Sequence, residues 1–72
     1  MTLLELLKRT DDNQKIDIFN NKCSIITHNL TRKEIIDTLL TKFEKSFREI
    51  INCEIEKIRA TENLEITLSK NF

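Results

Sequence analysis

Two short segments, Thr2-Leu3-Leu4-Glu5 and Thr31-Arg32-Lys33-Glu34, carry the Thr-x-x-Glu pattern of a helix capping box. In that pattern the threonine hydroxyl accepts from the backbone N–H three residues on, and the glutamate carboxylate reaches back to the N–H of the threonine. Helices therefore begin near residues 3 and 32. The first presents Leu3, Leu4, Leu6 and Leu7 and should stop at Thr10-Asp11-Asp12-Asn13, whose side chains compete for backbone hydrogen bonds and favour turns. A helix of about eight residues is not stable alone, so its leucines must dock, each contributing roughly 1.5–3 kcal/mol on burial.

From Thr31 the apolar residues Ile35, Ile36, Leu39, Leu40, Phe43, Phe47, Ile50 and Ile51 recur at spacings of three and four, opposite Lys42, Glu44, Lys45, Arg48 and Glu49. That stripe predicts one long amphipathic helix ending at Asn52, a residue suited to a left-handed cap, with Phe43 and Phe47 in the core. Between the helices, Lys15-Ile16-Asp17-Ile18-Phe19 alternates with period two and Lys22-Cys23-Ser24-Ile25-Ile26-Thr27-His28 returns. A two-residue Asn20-Asn21 turn pairs 19 with 22 and 16 with 25, placing Ile16, Ile18, Cys23 and Ile25 on the core face. The other face then carries Lys15, Asp17, Phe19, Lys22, Ser24, Ile26 and His28.

Leu64-Glu65-Ile66-Thr67-Leu68 is a further alternating strand that needs a partner. A Thr61-Glu62-Asn63 loop, with Asn63 left-handed, pairs Ala60 with Leu64 and Ile58 with Ile66, and a bulge near Glu56-Lys57 brings Ile55 opposite Leu68. The expected fold is α+β in the order α-β-β-α-β-β, a small antiparallel sheet of two hairpins packed on one long helix, with residues 1–72 as a single domain. The alternative is a continuous helix over 32–60 and a mainly α protein, because Ile51, Ile55 and Ile58 also extend the helical stripe.

Glycine is absent, which removes every glycine-rich phosphate loop. Twelve basic residues balance 12 acidic ones, so no net field draws the chain to nucleic acid or an anionic membrane. No apolar run approaches the roughly 20 residues of a membrane span, and the N-terminus lacks a signal-peptide pattern, which points to the cytoplasm. Cys23 and Cys53 in a reducing compartment read as small buried hydrophobes rather than a disulfide.

Together the short capped helix, the stretch Asp11-Asp12-Asn13-Gln14-Lys15-Ile16-Asp17-Ile18-Phe19-Asn20-Asn21, a second short strand, the Thr-x-x-Glu helix and the closing Leu64-x-Ile66-x-Leu68 strand resemble small proteins of phages and mobile elements in low-GC Gram-positive bacteria. Some proteins of similar layout are anti-CRISPR inhibitors. The resemblance implies an accessory or inhibitor protein that binds a host protein, and it assigns no functional residue.

The residues themselves offer little catalysis. His28 is the only histidine, and the expected register puts it on the face opposite Cys23, so the two cannot cooperate. Two cysteines and one histidine lack the paired spacing of a zinc site, and no cofactor is expected. Glu54, Glu56, Asp11 and Asp12 read as solvated carboxylates, and the long helix, whose basic residues interleave with acidic ones, has no aromatic stacking platform outside the expected core. What folding leaves unexplained is Phe19 and Ile26, with Phe72 at the end of the chain. The expectation is a non-enzymatic protein-binding module whose partner surface holds Phe19, Ile26, Lys15, Lys22 and His28. Two alternatives remain open, a small nucleic-acid-binding regulator and a structural subunit that buries this face in a homodimer.

Overall fold

The structure, a computed structural model, describes all 72 residues. Helix α1 (Leu3–Arg9) leads into strands β1 (Ile16–Phe19) and β2 (Ile25–Leu30), helix α2 (Arg32–Lys42), helix α3 (Phe47–Ile51) and strands β3 (Ile55–Ala60) and β4 (Leu64–Leu68). Both capping boxes form. Glu5 N–H donates to Thr2 Oγ1 at 3.3 Å while Thr2 N–H donates to Glu5 Oε1 at 3.1 Å, and Thr31 and Glu34 repeat the exchange. The last carbonyls of α1 are answered from a distance. The Arg32 guanidinium donates to the carbonyls of Leu7, Lys8 and Thr10, and it also pairs with Asp12.

The stripe expected to form one long helix is broken in two. At Phe43 the backbone leaves the helical region (φ −125°, ψ 38°), a short 3₁₀ turn spans Glu44–Ser46, and α3 restarts at Phe47. Near the break the Thr41 hydroxyl donates back to the Asp37 carbonyl, a bond that bends helices. The turn re-aims the chain so that Ile50 and Ile51 join the core, while Phe43 and Phe47 pack only half-buried at its border. Asn52 is not left-handed, and strand β3 from Ile55 excludes the continuous helix over 32–60.

The sheet order is β2-β1-β4-β3. Strands β3 and β4 pair in the expected register, Ile55 with Leu68, Ile58 with Ile66 and Ala60 with Leu64, with the bulge between Ile55 and Lys57. The sheet as a whole is mixed rather than antiparallel, because β1 and β4, the inner strands of the two hairpins, lie parallel with Ile18 against Ile66. Its core side carries Ile16, Ile18, Ile66 and Leu68 against Leu3, Leu7, Ile35, Leu39, Ile50 and Ile51 from the helices. The opposite side carries no helix.

The first hairpin departs most from expectation. Its turn is five residues, Asn20 to Ser24, not two, and Ile16 pairs with Leu30, Ile18 with Thr27 and Phe19 with Ile25, with two register shifts. Asn20 explains the turn. Its side chain is buried, and Oδ1 accepts from the N–H groups of Lys22 and Ser24 at 2.9 and 3.0 Å. Its Nδ2 donates to Asn71 Oδ1 and to the Phe72 carbonyl, tying down the end of the chain, where Phe72 packs on the core. With this turn Cys23 takes φ 64° and stands exposed, not in the core. The bulges exchange the neighbouring isoleucines. Ile26 packs against the core and Ile25 is 58% exposed.

Candidate open-face polar site

Along β1 the side chains alternate, so Asp17 and Phe19 point to the side without helices, as do Glu65 and Thr67 beside them on β4 and Lys57 and Arg59 on β3. The left-handed residue of the second bulge is Asn29, at φ 55°, a conformation that asparagine tolerates well. That geometry turns the Asn29 N–H onto Asp17 Oδ1 at 2.7 Å. Asn63, which is not left-handed, instead sends its Nδ2 to both Asp17 oxygens at 3.2 and 3.4 Å and to Asn29 Oδ1 at 3.2 Å. As a third partner, His28 Nδ1 lies 3.0 Å from Asp17 Oδ1.

One carboxylate, only 6% exposed, therefore links β1, β2 and the turn between β3 and β4. Arg59, Thr61, Glu62 and Glu65 complete an open depression of about 400 Å³ around it, with no apolar lining residue. Beside it, Phe19, Cys23, Lys57 and Thr67 border a second, smaller depression that shares Arg59 and Glu65.

Of the five residues expected at a partner surface, Phe19 and His28 lie on this open face. Ile26 does not, because the bulge turns it to the core, and Ile25, opposite Phe19, takes its place. Lys22 is an exposed residue of the Asn20–Ser24 turn, and Lys15 pairs with Glu34 at 3.7 Å. Sequence reasoning missed Asp17, Asn29 and Asn63. Asp17 and Asn63 are 46 positions apart, and only the parallel β1–β4 pairing brings them together.

Chemically, Asp17 and His28 form a carboxylate–imidazole pair. Cys23 and His28 border the same face rather than opposite ones, yet no hydrogen bond joins them. No three His, Cys, Asp or Glu side chains converge as metal ligands. Both cysteines are free, and no helix is long and apolar enough to cross a membrane. Comparison with protein-family models, curated proteins and solved structures finds no match.

Proposed function

We propose that the protein is a non-enzymatic protein-binding module that seats its uncovered sheet face on a host protein, in the manner of a phage or mobile-element accessory or inhibitor. The observation that carries this reading is the pair Phe19 and Ile25, apolar residues set opposite each other on a face with no helix over it. Lys57, Arg59 and Glu65 flank them, the mixed apolar and charged character of a protein contact surface. The layout that resembles small phage proteins supports the same class. Capture from a lysate of the encoding organism tests it: a protein retained by the native chain should be lost by the Phe19→Asp, Ile25→Lys variant. Retention at full level by that variant, with its fold intact, would reject the open face as the working surface. A native chain that sediments as a dimer, and the variant as a monomer, would instead favour the homodimer.

A second reading, a small nucleic-acid-binding regulator, gains from one feature, an uncovered aromatic, Phe19, beside Lys57 and Arg59. Bases stack on such rings. It requires binding to a single-stranded oligonucleotide that weakens steeply with salt, and the acidic neighbours Glu62 and Glu65 oppose it.

A further inference from the structure

Strand β3 is one edge of the sheet, and Glu56 through Ala60 are all exposed. Leu64 N–H donates to the Lys15 carbonyl, so the backbone groups of Leu64 face β1 and those of its alternate neighbours Glu65 and Thr67 face β3. Their partners Arg59 and Lys57 therefore use the inward ladder, which leaves the N–H and C=O groups of Ile58 and Ala60 pointing off the sheet. The other edge, β2, is interrupted by two bulges and the left-handed Asn29. The β3 edge already accepts chain. Ile55 N–H donates to the Met1 carbonyl at 2.9 Å, Leu3 N–H donates to the Cys53 carbonyl at 3.0 Å, and Thr2 bridges Glu54. Beyond Ile55 the row is vacant.

We propose that this vacant row, residues 57–60 of β3, takes up an extended segment of a partner protein in which acidic and apolar residues alternate. The side chains set that chemistry. Lys57 and Arg59 stand on the open face with no ion pair, so acidic residues of an added strand would lie beside them. On the helix-bearing side Ile58 is 47% exposed next to Ala60, and apolar residues of the added strand would cover it. A second copy fits poorly. Antiparallel pairing of two β3 strands about Lys57, Ile58 or Arg59 sets Lys57 against Lys57, Lys57 against Arg59, or Arg59 against Arg59. The bulge, a device that often protects an edge, precedes Lys57 and leaves residues 57–60 regular.

This rests on the protein-binding reading but not on Phe19 and Ile25, so either surface can fail without the other. The test is selection of random ten-residue displayed peptides on the intact protein, followed by titration of the enriched peptides against variants. Ala60→Pro removes an outward N–H and no internal ladder bond, and Lys57→Glu with Arg59→Glu reverses the charge. Enriched peptides should alternate Asp or Glu with apolar residues, and each variant should weaken them about tenfold or more with its circular dichroism unchanged. No enrichment, a basic consensus, or equal affinity for the folded Ala60→Pro variant would overturn the proposal.

Discussion

Asp17 and His28 face each other across the β1–β2 ladder, Oδ1 to Nδ1 at 3.0 Å, on the side of the sheet that no helix covers. The two partners are unequal. The Asp17 side chain is nearly enclosed and also accepts from Asn29 N–H and Asn63 Nδ2, whereas the imidazole is 65% exposed. Asp17→Ala should therefore cost about 2 kcal/mol, because it removes the shared acceptor of two hydrogen bonds that join β2 and the β3–β4 turn to β1. His28→Ala should cost under about 0.5 kcal/mol, as an exposed pair does. Urea unfolding midpoints of the two variants check the ranking, and an Asp17→Ala midpoint equal to that of His28→Ala contradicts it.

Thr27 is buried opposite Ile18, and its hydroxyl has no hydrogen-bond partner. A buried hydroxyl in that state costs roughly 1–3 kcal/mol. Thr27→Val replaces it with a methyl group of similar shape and should raise stability by about 1 kcal/mol, read as a higher thermal midpoint. A lower midpoint would mean that the hydroxyl is satisfied.

Cys23 adopts a left-handed conformation that side chains other than glycine and asparagine disfavour. Cys23→Gly should stabilise the turn by about 0.5–1 kcal/mol, net of the added freedom of glycine in the unfolded chain. Loss of stability on this change would show that the Cys23 side chain supports the turn.

Acid should weaken both helix starts. The carboxyls of Glu5 and Glu34 are held below the ordinary value of 4.5, chiefly by accepting the backbone N–H and then the hydroxyl of Thr2 and Thr31. A lowered folded-state pKa means stability that is present above 4.5 and lost as pH falls through the folded value. The thermal midpoint of the native chain should drop across that acid window, and the Glu5→Gln, Glu34→Gln variant should show a shallower drop. Parallel curves would deny the capping boxes this role.

Both helix starts and the whole β3–β4 register were legible because they depend on local signals: a hydroxyl and a carboxylate three residues apart, and isoleucines and leucines that must share a face. The β1–β2 register was not. It follows from the Asn20 side chain, which organises a longer turn by bonding Lys22, Ser24 and the end of the chain, and the two-residue rule ignores such contacts. One slipped position in a strand moves a side chain to the other face, so Ile25 and Ile26 exchanged places. The helix break at Phe43 is hidden because the apolar spacing continues through it. The Asp17 site depends on Asn63 arriving by a parallel pairing that no local pattern announces; the only trace was a lone Asp among the isoleucines of β1.

We propose the uncovered sheet face, with Phe19 and Ile25 upon it, as the surface that meets a host protein. Amide hydrogen exchange of the native chain, alone and with the partner captured from lysate, tests it most directly. Slower exchange should fall on Ile25–His28 and on Lys57–Thr67, with α1 and α2 unchanged. Protection confined to α1 and α2, where Leu4, Lys8, Lys33 and Ile36 border a depression between the helices, would contradict the claim.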